Sequence, residues 1–105
     1  MDKVEVTFFI HCWDEYGDKG KEKQWVKEKK EGYIIESEVG KITAHQNEKG
    51  FWVVSEYKTG TKIGGPCGIL EDAIDIGIFR AKQIGAVLFR QRIDERIEQH
   101  GIINK

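Results

Sequence analysis

The segment AIDIGIFRAKQIGAVLF, residues 73–89, sets Ala73, Gly77, Ala81 and Gly85 four residues apart inside a stretch that otherwise has the period of a helix. Residues three and four apart share a helix face, so these four form one bare stripe. Ile74, Ile76, Ile78, Ile84 and Leu88 flank it as the walls of a groove. A helix this slim along one side calls for a close neighbour. A sheet is the expected one, its aromatics Phe8, Trp52 and Tyr57 filling the groove, because large residues facing small ones reach native packing density. Small residues at this spacing also let two helices meet. The stripe therefore admits a second occupant, another copy of the chain in a homodimer through the helix.

Both ends of the helix carry matching signals. Glu71, Asp72 and Asp75 stand in the opening turns, where the macrodipole favours negative charge; Arg90, Arg92, Arg96 and His100 stand towards the close, where it favours positive charge. Gly101 follows as a capping residue, with Ile102 placed for the apolar contact that often accompanies a glycine cap. The reading is one helix over residues 69–100, about 45 Å long at 1.5 Å per residue.

Upstream the period falls to two. KVEVTFFIHCW alternates apolar and polar residues, with Cys12 continuing the series Val4, Val6, Phe8 and Ile10 as a small apolar core residue. If that series faces the helix, Phe9, His11 and Trp13 face away, and the second face is covered either by curling of the sheet or by a partner. DEYGDKG is a turn. KEKQWVKEKKEG, whose only large apolar residues are Trp25 and Val26, reads as an exposed strand. YIIESEV and KITAHQ are two short strands, or one strand bent at Gly40. NEKG closes a hairpin, FWVVSEY leaves it, KTGTK turns through Thr59 and Gly60, and Ile63 ends the last strand before GGPCG. The fold class is α+β: an antiparallel meander of four to six strands over residues 1–65, packed on one long C-terminal helix. With 39% apolar residues in 105, residues 1–105 make a single domain around one core.

The chain shows no segment suited to a membrane. Asp72, Asp75, Arg80 and Lys82 interrupt its most hydrophobic region, and MDKVEVTFFIHCW lacks the basic start, apolar middle and cleavage site of a signal sequence. A cytoplasmic protein is expected.

Few residues carry chemistry. Cys12 and Cys67 have no C-x-x-C spacing, and His11, His45 and His100 share no ligand spacing with them, so neither a disulfide framework nor a metal site is expected, and no cofactor. GGPCG is a tight passage into the helix; read functionally, it offers backbone amides to an anion and a thiol, Cys67, near a helix N-terminus. Glu71, Asp72 and Asp75 oppose both. A thiol enzyme at Cys67 would need folding to bring His45 and an acid to it, and no nucleophile motif such as G-x-S-x-G occurs.

Charge is balanced along the whole chain. Residues 14–31 hold six acids and six lysines, 32–68 four of each, and 69–101 six acids and five bases. A nucleic-acid binder concentrates cations to displace phosphate counterions. The residues available for that role are Lys41, Lys49, Lys58 and Lys62 of the hairpins, with His45, yet Glu36, Glu38, Glu48 and Glu56 are interspersed among them and oppose phosphate contact.

From residue 51 the order is W-x-V, a T-G hairpin, a strand ending in I-G, then a helix with an alanine-isoleucine start: Trp52, Val54, Thr59, Gly60, Ile63, Gly64, Ala73 and Ile74. This third of the chain resembles small accessory proteins of bacteriophages and other mobile elements. The resemblance implies a protein that acts stoichiometrically by blocking a host enzyme or defence complex, as an anti-CRISPR-like antagonist does, in the cytoplasm of the host cell. The sheet and helix also look like the small DNA-binding arrangement of some integrase arm-binding domains. The leading expectation is a non-enzymatic protein-binding module with a host protein as partner, contacted through Trp13, Trp25, Phe79 and Arg90, since interface cores favour Trp, Phe and Arg. A small nucleic-acid-binding protein using the hairpin lysines is the alternative, and a thiol enzyme at Cys67 the third.

Overall fold

The computed structural model describes the backbone of residues 3–13 and 23–104, and the side chains of residues 3–7, 29–99 and 101–104. Five strands and two helices follow one another: β1 (Val4–Trp13), β2 (Lys23–Ser37), β3 (Gly40–Gln46), β4 (Trp52–Glu56), β5 (Lys62–Cys67), α1 (Leu70–Ile84) and α2 (Ala86–His100). The sheet is an antiparallel meander in the order β1-β2-β3-β4-β5. Residues 23–32, KQWVKEKKEG, belong to a strand as expected, Lys21 and Glu22 lying outside the described residues, and YIIESEV and KITAHQ form two strands that turn just before Gly40.

β2 serves two ladders. From Lys23 to Gly32 it pairs with β1, and from Gly32 to Ser37 with β3. Gly32 belongs to both, and a Cβ there would overlap the Ala44 carbonyl and press on Val6. The sheet coils at this point, bringing β1 towards β5. The end of the chain spans the gap: Asn104 Nδ2 donates to the Thr7 carbonyl of β1 at 3.0 Å and to the Tyr57 carbonyl after β4 at 2.7 Å, while the Ile103 N–H donates to Lys58 O at 2.8 Å. Ile102, expected to make a capping contact, is exposed, and the hydrogen bonds of Ile103 and Asn104 hold the tail.

Under α1 lies the apolar core, Ile42, Ala44, Val54 and Ala73, with Ile35, Trp52, Ile63 and Leu70 packed around it. Burying Ile42 or Val54 contributes roughly 1.5–3 kcal/mol each. The stripe is buried at Ala73, Gly77 and Ala81; it meets the backbone of Gly64 and the side chains of Ile63 and Val54, and of the aromatics expected to fill it, the side chain of Phe8 lies outside the described residues. A Cβ on Gly64 of β5 would stand 2.6 Å from Ala73 O and 2.8 Å from Gly77 N. Helix and strand backbones therefore touch, with Ile63 and Val54 on either side of Gly77. Trp52 stacks on Tyr33 instead, ring centroids 5.8 Å apart.

This contact also explains why GGPC is strand, contrary to the loop expected after Ile63. Gly64 is required for the close approach, and β5 is an edge strand, where Pro66, lacking an N–H, leaves no ladder bond unmade.

The single helix over 69–100 is two helices. Gly85, at φ 96° and ψ 148°, ends α1 and precedes α2. No heavy atom lies within 4 Å of where its Cβ would be, so this last glycine of the stripe packs against nothing. Its role is conformational: φ in this region is easy for glycine and costly for other residues. The break lets Phe89, Ile93 and Ile97 pack back within the chain, Ile93 buried and the others half-buried. A dimer through one continuous long helix loses its structural premise.

The series beginning Val4 and Val6 does not face α1. Val4 pairs with Gly32, Gly32 with His45, and His45 with Val53, a row on the opposite face from Val54. Val6 is buried by the coiling of the sheet.

Candidate functional site

The helical layer leaves large apolar side chains in water. Opposite its buried seam, α1 exposes Ile76 and Phe79, the latter 64% accessible. Ile69 before α1, and Val87 and Leu88 in the first turn of α2, are exposed as well, Val87 to 75%. The helical period accounts for Phe79: six residues from Ala73 and two from Gly77, it falls on the far side from both. Arg90 is exposed, its Nε 4.0 Å from Asp94 Oδ1 one turn on. Phe79 and Arg90 are thus both exposed on the helical layer, Arg90 beside Asp94. The side chains of Trp13 and Trp25 lie outside the described residues; by backbone register Trp25 opposes His11, and both tryptophans belong to the part of the β1–β2 ribbon that runs beyond β3.

The four hairpin lysines are exposed, Lys41, Lys58 and Lys62 towards one end of the sheet and Lys49 at the other. Lys41 stands beside Glu36, Nζ to Oε1 3.7 Å, and over the Tyr57 ring at 4.9 Å. Lys58 shares that end of the sheet, since the Tyr57 N–H donates to Lys41 O. Lys49 sits in the Asn47–Gly50 turn at the other end, where Asn47 Oδ1 accepts from the N–H groups of Lys49 and Phe51. β3 separates the two ends by roughly 20 Å at 3.3 Å per residue. Glu56 adds a carboxylate among them, accepting from the N–H groups of Lys58 and Thr59 and from the Thr59 hydroxyl.

Cys67 and His45 are kept apart. Cys67 pairs with Trp52 and packs on the core beneath α1, while His45 pairs with Val53. Successive residues of a strand point to opposite faces, so the sheet stands between thiol and imidazole. Among the described residues no group of three His, Cys, Asp or Glu is placed to hold a metal ion. His45 has another character. It is 3% exposed, in a polar interior with Thr43 and Ser55. Burial first, then the charge of Lys30, pushes its imidazole down to about 4 from 6.5. Nothing in the sequence pattern marked this interior, because polar residues at alternate positions look like a solvent face.

The W-x-V and T-G/I-G residues build the scaffold: Val54 and Ala73 are core, Thr59 is buried in its turn, and Gly64 meets α1. In comparison with known proteins, no family model, curated protein or solved structure matches the chain. No helix among the described residues is long and apolar enough to cross a membrane.

Proposed function

We propose that the protein is a non-enzymatic binding module that works by occupying a host protein, in the manner of the phage-type, anti-CRISPR-like antagonists its hairpin-and-helix pattern resembles. The observation that carries the binding role is the exposure of Phe79, a large aromatic on the outer face of α1, together with Ile76 and, in α2, Val87 and Leu88. Leaving such side chains in water forgoes roughly 1.5–3 kcal/mol apiece that burial would supply, and a partner recovers it. Arg90 adds an exposed guanidinium of the kind that interface cores favour. The reading of the partner as a host defence protein rests on the resemblance alone.

The test is a nuclease-treated pull-down from a bacterial lysate with the wild-type chain and with Phe79→Asp, alongside circular dichroism melts of both. The expected result is one protein enriched by the wild type, lost with Phe79→Asp, and unchanged melts. The captured protein's defence activity, assayed with and without the chain, then decides whether capture means inhibition. Enrichment that disappears with nuclease would move the assignment to nucleic acid; capture unaffected by Phe79→Asp would remove the outer face of α1 from the site.

A further inference from the structure

Where α1 gives way to α2, the helical layer and β5 line an open cleft of about 240 Å³. Ile84, Phe89 and Ile93 make its lining apolar, and three cations stand around it: Lys62 from β5, Arg80 from α1 and Arg92 from α2. No acidic side chain lines it. Four cations elsewhere on the described surface form ion pairs, Lys29 with Glu5, Lys41 with Glu36, Lys82 with Glu38 and Arg90 with Asp94, while Lys49 and Lys58 stand singly in their turns rather than around a cleft. None of the three around the cleft forms an ion pair among the described residues. In a chain with 18 acids to 17 lysines and arginines, three unpaired cations converging from three elements make a local excess that folding alone creates. The first turn of α2, between Ile84 and Phe89, also contains no acid and has no side-chain cap, so its partial positive charge is not offset.

We propose that this cleft binds a small amphipathic carboxylate, with an aliphatic or aryl body against Ile84, Phe89 and Ile93 and the carboxylate held by Arg80 and Arg92, with Lys62 adding charge. The size fits: a cavity of about 150 Å³ holds benzene, so this one takes a body of about ten heavy atoms. Guanidinium groups suit the head because each presents a planar fork of donors to a carboxylate. The apolar lining sets the preference for length, each buried methylene adding about fourfold in affinity. The site does not depend on the protein-binding role proposed above.

The experiment is an amide NMR titration of the full chain at low salt with octanoate, hexanoate and octylamine. Octanoate is expected to give saturable shifts confined to residues 61–63, 80–84 and 89–93, hexanoate, two methylenes shorter, to bind about fifteenfold more weakly, and octylamine to leave those amides unmoved. The double variant Arg80→Gln, Arg92→Gln should bind octanoate at least about tenfold more weakly, with an unchanged melt because both side chains are exposed. A Lys62→Gln variant should lose less than the double variant. No saturable shift at millimolar octanoate, equal shifts with octylamine, or full binding by the double variant would each overturn the proposal.

Discussion

β3 buries both of its faces, and the two interiors are unlike. On one, Ile42 and Ala44 join Val54 and Ala73 in a dry apolar core, with helix backbone against strand backbone at Gly77 and Gly64. On the other, Thr43, His45 and Ser55 are equally buried, at 0%, 3% and 1% exposure. There Thr43 Oγ1 has no hydrogen-bond partner among the described residues. The first interior is limited by shape: it has no room for an added atom at one position. The second is limited by charge and hydrogen bonding, since a proton taken up there must be carried in a poorly solvated place. One strand thus answers to two different perturbations, volume on one side and pH on the other.

The sharpest way to break the shape-limited side is Gly64→Ala. The new methyl would lie 2.6 Å from a helix carbonyl oxygen and 2.8 Å from a helix nitrogen, backbone atoms that cannot step aside alone. A loss of about 3 kcal/mol or more is expected by urea denaturation; a loss below about 1 kcal/mol would show that α1 lifts from β5 without cost.

On the other side the corresponding lever is acid. The His45 pKa is about 4 in the folded chain against 6.5 unfolded, so between these values the unfolded chain binds a proton that the folded one does not. Stability is therefore fully present above pH 6.5 and falls as the pH drops from there towards 4, by on the order of 3 kcal/mol in total. The difference in stability between wild type and His45→Gln, followed from pH 7.5 down to about 4.5, should shrink steadily as acid is added. A difference independent of pH would mean that His45 titrates normally.

Thr43→Val keeps the shape and removes the orphan hydroxyl. A gain of about 1 kcal/mol is expected in the same denaturation assay; a loss would reveal a partner for that hydroxyl, such as a buried water. The smallest effect belongs to Gly77→Ala. The atoms nearest its methyl would belong to the side chains of Ile63, at 3.2 Å, and Val54, at 3.4 Å, which shift more readily than backbone. The better helix propensity of alanine, about 1 kcal/mol, offsets the crowding, so the net change should stay within about 0.5 kcal/mol. Paired with Gly64→Ala, it tests whether the close approach is owed to the strand glycine or the helix glycine.

Much of this architecture was legible in the sequence, and the departures have common causes. Alternation in KVEVTFFIHCW and KITAHQ, and the turns at NEKG and KTGTK, located the strands because period and turn chemistry are local. The order of the meander followed from them. Gly64, Gly65 and Pro66 read as loop because the same residue types that break a strand also permit an edge strand to lie against a helix. Gly85 read as the fourth member of a packing stripe, since spacing does not distinguish a glycine that receives a neighbour from one that turns the chain. The burial of Thr43 and His45 has no local signal, because coiling at Gly32, a long-range event, is what covers them. The site was less legible still. Phe79 was placed outward by helical period alone, whereas Lys62, Arg80 and Arg92 are far apart in sequence and meet only after Gly85 redirects α2.

The link from Asn104 to Thr7 has a consequence for the order in which the molecule assembles. Every strand pairs with its neighbour in sequence, so the sheet can zip up hairpin by hairpin as the chain leaves the ribosome, each step closing a short loop. The bond between residues 7 and 104 spans 97 positions and has to wait for all of them. One side-chain amide thus fastens two rims of the sheet, β1 and the β4–β5 turn, that the coil at Gly32 brings near each other.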